Sequence, residues 1–132
     1  MSNSSSERYI GTIAKVRFPY YDVTTSQQQF KLRPMLIIGA EKEYLPCDFT
    51  VLPVSRVSNP QNLSESYDIK LDKDKCVLLS LKKSPSYIRV HKQSYANSID
   101  VRDDIISNLK ELDLDLYEEI KEKHSEFNES LF

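Results

Sequence analysis

Three short stretches set chemistry-bearing side chains beside prolines or an aromatic ring. KLRPMLII (31–38) places Arg33 directly before Pro34. Proline has no amide hydrogen, so it belongs at the first position or the edge of its strand, and it drives the preceding residue into extended geometry. Arg33 is thereby held at a strand mouth, where a guanidinium offers a fixed fork to a phosphate or carboxylate; a structural ion pair would use the same residue. LPVSRVS (52–58) repeats the device, with Ser55 on the same face as Pro53. A hydroxyl there can orient a phosphate or donate to an oxyanion, or simply close a turn. KKSPSYIRVHK (82–92) gathers Lys82, Lys83, Arg89, His91 and Lys92 around Tyr87. Cations interleaved with a ring suit single-stranded nucleic acid, since charges track the backbone and the ring stacks on bases; a solvated strand face has the same pattern. Lys31 and Arg56 flank Arg33 and Ser55 and join them as candidate nucleic-acid contacts.

Other chemistries find little support. No G-x-S-x-G stretch is present, which argues against a hydrolase nucleophile elbow. Two glycines cannot build a phosphate-cradling loop, which excludes dinucleotide and P-loop chemistry. Two histidines and two separated cysteines, Cys47 and Cys76, point to no metal site and no cofactor, and the cysteines read as free thiols. His91 is the one histidine of the basic part of the chain and could exchange protons near neutral pH. No spaced carboxylate pair of the glycosidase or two-metal kind is seen.

The 132 residues carry a net charge of −2 that hides a split. Residues 1–98 hold 14 Lys/Arg against 9 Asp/Glu, and residues 99–132 hold 4 against 11. A basic body with an acidic tail suggests that the body meets an anion. The polar start, MSNSSSER, reads as a frayed tail over residues 1–8 with no secretory signal. No apolar run approaches the roughly 20 residues of a membrane span. Residues 9–132 then form one cytoplasmic domain.

The elements that must position these residues change period along the chain. Strands are expected at 10–18, 30–39, 48–57, 66–71, 75–81 and 86–92, with 22–29 a polar loop and MLII central because it is apolar on both faces. From about 99 to 128 the pattern is helical. Ile105, Leu109 and Leu112 form one stripe, and Asp113 caps a second helix whose face carries Leu116, Ile120, His124 and Phe127. The class is α+β: about six strands in a small, strongly bent sheet or barrel, then C-terminal helices.

Taken in order, GTIAKVRFP, KLRPMLII, FTVLPVSRVS, LDKDKCVLLSLKKS and the closing I-x-x-x-L-x-x-L-x-x-x-L-x-x-x-I pattern resemble the MazF/PemK (Kid) family of toxins from bacterial toxin–antitoxin pairs, over roughly residues 9–128. The resemblance implies an SH3-like barrel with a C-terminal helix, a homodimer, and a metal-independent endoribonuclease that cuts single-stranded mRNA at specific short sequences and is neutralised by an antitoxin. Arg33 matches the family's arginine before proline and Ser55 its third-strand Ser/Thr, the pair treated there as catalytic. Such cleavage proceeds by 2′-OH attack on the adjacent phosphate, giving a cyclic phosphate and a 5′-OH. Arg33 would clamp the charge that gathers on phosphorus oxygens, and Ser55 would hold a non-bridging oxygen in line.

The chain departs from the family at Thr12, at the glycine-free TTSQQQFKL, and at Ser80, where many members carry an acid. The general base is therefore unassigned, with His91 a substitute. Relatives of the same fold typified by CcdB poison DNA gyrase, and an inactive RNA-binding homologue is the other alternative.

Overall fold

Alternation pairs the first two strands into a long hairpin. In the computed structural model, which describes residues 5–132, β1 (Thr12–Asp22) runs antiparallel to β2 (Gln27–Ala40), from Ile13↔Leu36 out to Asp22↔Gln27. The expected loop at 22–29 shrinks to its tip. Asp22 accepts a hydrogen bond from the Thr24 amide, Ser26 takes a left-handed φ of 55°, and the glutamines become strand.

β2 also pairs with β3 (Asp48–Ser55), and β3 with both β5 (Ser86–Arg89) and β6 (Ser94–Asn97). β4 (Asp68–Leu71) flanks β5, and the two-residue β7 (Ser107–Asn108) flanks β1. The order β4-β5-β3-β2-β1-β7, with β6 on β3, is a curled antiparallel half-barrel followed by helices. This is the α+β class expected, a small bent sheet with C-terminal helices. No helix of the described residues is long and apolar enough to cross a membrane.

The sheet buries both faces, which is why MLII is apolar without alternation. On one face Ile13, Leu36, Leu52, Val54, Ile69 and Ile88 pack beneath the helices. On the other, Ala14, Val16, Met35, Ile37 and Val51 pack with Tyr9, Phe49 and Val101. A bulge between Ile37 and Gly39 shifts the alternation, so that Ala40 returns to the second core opposite Phe49. Gly11 is needed where it stands: its φ is +90°, and a Cβ there would meet the Lys110 Cβ at 2.6 Å.

Three expectations change. The stretch 75–81 is not a strand: α1 (Lys73–Leu78) occupies it, capped by Asp72, whose carboxylate accepts from the Lys75 amide at 2.9 Å. Cys76 and Leu79 point inward while Val77 and Leu78 face out, a helical rather than an alternating period. Second, residues 99–108 are not helical. They form a 3-10 turn (Ser98–Asp100), a bridge from Val101 to Val16, and β7; helix begins at α2 (Leu109–Leu112) and continues in α3 (Leu114–Glu129). Third, of the tail expected at 1–8, residues 1–4 lie outside the described residues, but Ser5 bridges Tyr44 and Ser6 is buried, its hydroxyl donating to the Lys42 carbonyl at 2.6 Å.

Asp113 caps α3 as expected, accepting from the Leu116 amide at 3.0 Å, and it also pairs with Lys75 of α1. The Lys75 hydrogen bond holds its carboxyl below the usual 3.8, and the lysine is raised in turn. An acid with a lowered folded pKa contributes stability that is present above its unfolded value and lost as pH falls through the folded one. Asp113→Ala is expected to lower the free energy of urea unfolding by about 1–2 kcal/mol at pH 7, and the gap from wild type should narrow below about pH 4. Equal unfolding midpoints at pH 7 would show that the cap and the ion pair do not hold α3.

Candidate RNA-binding and cleavage site

Two prolines end a ladder and open a cleft. The β2–β3 register runs Ile37↔Val51, Leu36↔Leu52, Met35↔Pro53 and stops. The next β2 residue is Pro34, and neither proline can donate a ladder hydrogen bond. Pro34 lies inside β2, not at its start, and it pairs with Lys15 on the β1 side while its β3 side is already open. The expected edge position is therefore met on one flank only. Continuing the register by two residues sets Arg33 opposite Ser55. The two stand where the strands part, on the face shared with Met35 and Pro53.

Both line one cleft of about 880 Å³. Among the described residues its cations are Lys15, Lys31, Arg33, Arg56, Lys82 and Lys83, and its one carboxylate is Asp104. Ion pairs among the described residues use Arg17, Lys75, Arg89, His91, Arg102 and Lys121. None uses a cleft cation. Arg33 is exposed, and Lys31 rests its ammonium 4.6 Å from the Tyr20 ring centroid. Phe18, directly across from Lys31, adds an aromatic wall. An arrangement with six unneutralised cations, a hydroxyl and a ring can bind a polyanion and leave its bases a surface to lie on.

Of the ten residues singled out from the sequence, Lys31, Arg33, Ser55, Arg56, Lys82 and Lys83 meet in this cleft. The other four do not line it. Tyr87 sits between Ser55 and Lys70 in the sheet, half-buried. Arg89 is spent on structure: its Nε and Nη2 reach the buried Asp68 carboxylate at 3.0 and 3.2 Å, and Nη2 also donates to the Asn62 carbonyl at 2.7 Å. His91 lies beyond the end of β5, packed between the rings of Tyr67 and Phe127, with Nδ1 buried and 3.8 Å from Asp68. As a stand-in base it is misplaced, because it faces α3 and not the cleft. Lys92 is exposed in the turn after it, its amide donating to the Arg89 carbonyl. Ser80 does line the cleft, as the left-handed residue (φ 58°) that ends α1 rather than as a strand end.

The chain matches no family model and no curated protein. The site is therefore read from its own geometry. Three of its residues escape a reading of the sequence alone. Lys15 and Phe18 were visible as an alternating strand, but nothing local shows that the β1–β2 hairpin outruns β3 and turns them toward a cleft. Asp104 arrives from a distant segment.

The two histidines lie at the junction of α3 with the sheet. His124 Nε2 is 2.6 Å from Gln93 Oε1, and burial pushes both imidazoles below their usual 6.5. Desolvation outweighs the pull of Asp68 on His91. The unfolded chain then binds more protons than the folded one, so stability falls as pH drops through about 6.5 toward the lower folded values. The urea midpoint should decrease between pH 7.5 and 5.5, and a His91→Gln, His124→Gln double variant should flatten that decrease. A wild-type midpoint constant over this range would contradict the burial argument.

Proposed function

We propose that this chain is a metal-independent endoribonuclease of the MazF/PemK toxin type, acting on single-stranded mRNA at specific short sequences. The observation that carries the reading is the placement of Arg33 and Ser55 just beyond the last β2–β3 pair, both lining a cleft whose six cations form no ion pair among the described residues. Cations left unpaired repel one another and lower stability, so their clustering makes sense where a polyanion supplies the missing charge.

The mechanism uses a ribose hydroxyl as the nucleophile, which fits RNA and not DNA. Lys31, Arg56, Lys82 and Lys83 hold the phosphates on either side of the scissile one. The 2′-oxygen attacks phosphorus, the bond to the 5′-oxygen breaks, and a 2′,3′-cyclic phosphate and a 5′-OH result. Negative charge peaks on the non-bridging oxygens between these events. Arg33 meets it with two parallel N–H donors, and a Ser55 hydroxyl bond fixes one oxygen so that entering and leaving groups stay in line. A guanidinium stays protonated at any accessible pH, so its role is to stabilise charge rather than to take a proton. A homodimer and an antitoxin carrying an acidic segment complete the proposal; the cleft's charge suits such a segment.

Purified protein should cut single-stranded RNA in EDTA and leave 5′-OH ends. Arg33→Ala should slow cutting by about 10²–10³, equivalent to roughly 3–4 kcal/mol of barrier, with the unfolding midpoint unchanged. Cutting by Arg33→Ala at the wild-type rate would remove the mechanism. Intact RNA together with a blocked supercoiling assay would favour the gyrase-binding alternative instead, and RNA retained without cutting would leave a binding homologue.

A further inference from the structure

We propose that Asp104 is the proton acceptor of the cleft, taking the 2′-OH proton as the 2′-oxygen attacks phosphorus. The assignment rests on the endoribonuclease reading above and supplies the base that it lacks. Attack by a hydroxyl needs somewhere for its proton to go. The lysines and arginines of the cleft are already protonated, and its serines are poor acceptors. Among the described residues no histidine or cysteine lines it, and the one carboxylate is Asp104.

The backbone places this carboxylate firmly although its segment has little regular structure. Val101 bridges Val16, the Arg102 amide donates to the Lys15 carbonyl at 2.9 Å, and the Ile106 amide donates to the Ile13 carbonyl at 2.9 Å. Residues 103–105 are thus a short arch whose two feet stand on β1, one of them on Lys15, the cross-strand partner of Pro34. Asp104 is carried to the cleft from there, with Ile105 and Ile106 beside it. Among the described residues its one ionic neighbour, Arg102, is 4.0 Å away with both side chains largely exposed, a loose pair that leaves the carboxylate open.

The step balances without a further reagent. A bond forms between the 2′-oxygen and phosphorus, and the 2′-OH proton passes to Asp104. The bond from phosphorus to the 5′-oxygen breaks, and the departing oxygen takes a proton from water. Asp104 then returns its proton to the solvent that reaches it, its side chain being 73% exposed.

The test compares wild type, Asp104→Asn, Asp104→Glu and Arg33→Ala in single-turnover cleavage of an oligoribonucleotide. Binding is measured separately with the same oligonucleotide carrying 2′-O-methyl groups, which cannot react. Asp104→Asn should lower the rate at saturating RNA by about 10²-fold or more. It should bind the 2′-O-methyl strand as tightly as wild type or more so, because a negative charge has left a cationic cleft. Asp104→Glu should recover part of the rate. Wild-type cleavage by Asp104→Asn overturns this assignment alone, as does a defect confined to binding. Failure of the wild-type protein to cut RNA overturns the endoribonuclease reading and this inference with it.

Discussion

The constraint on which the site depends is the missing amide hydrogen of proline. A proline brings its ladder no donor, so two strands lose hold of each other most readily where prolines fall together. At the end of the β2–β3 ladder, Pro53 occupies the last pair and Pro34 follows immediately on the other strand. The ladder stops there, although β2 goes on for seven more residues toward its start, held by β1 alone. Two side chains that a longer ladder would have packed side by side in a closed sheet, Arg33 and Ser55, are left flanking an opening. Replacing either proline by a residue with an N–H would offer the strands a way to close.

An opening is useful for binding only if its walls stay put. The residues just behind it, Leu36, Leu52 and Val54, are buried in the core beneath the helices, and Met35 in the core on the opposite face. Packed cores resist displacement because any shift opens voids or forces side chains off their rotamers. The two cores therefore clamp the parted strands from both sides. They also offset the mutual repulsion of the cleft cations, a cost that exposure to water keeps moderate. The result is a set of charges held ready before a ligand arrives, the condition under which electrostatic stabilisation needs little rearrangement.

Much of this architecture was legible, and the failures have local causes. The alternation of Ala14, Val16 and Phe18 and the apolar run of MLII led to the first two strands and to the central place of β2. Arg33 and Ser55 stood out because a proline reports on its neighbours' geometry. KCVLLSL misled because a short apolar run fits strand and helix alike; the Asp72 cap in front of it was the deciding signal, and its amide contact to Lys75 bears that out. Arg89 and His91 misled for a different reason. Composition shows cations around Tyr87 but not the buried Asp68 that claims Arg89, nor the Tyr67 and Phe127 rings that enclose His91. Contacts between residues so far apart in sequence exist only after folding, and the same holds for the arrival of Asp104 beside Lys15.

The charge split along the chain becomes a split in space. Of the eleven acids in residues 99–132, ten stay out of the cleft. Several serve their own helices: Asp113 and Asp115 stand at the start of α3, where the macrodipole favours negative charge. Lys15, Lys31 and Arg33 of the first hairpin and Arg56, Lys82 and Lys83 of the adjoining loops meet instead, without ion pairs among the described residues, in a single opening. A net charge near zero therefore says little about what the molecule attracts, because a ligand meets the local field of the cleft first. The exception is Asp104, which crosses from the acidic part of the chain into the basic site on an arch fixed to β1. A lone acid among six cations weakens the attraction for a polyanion, so binding alone gives it no reason to be there. A proton to be removed in the proposed cleavage does.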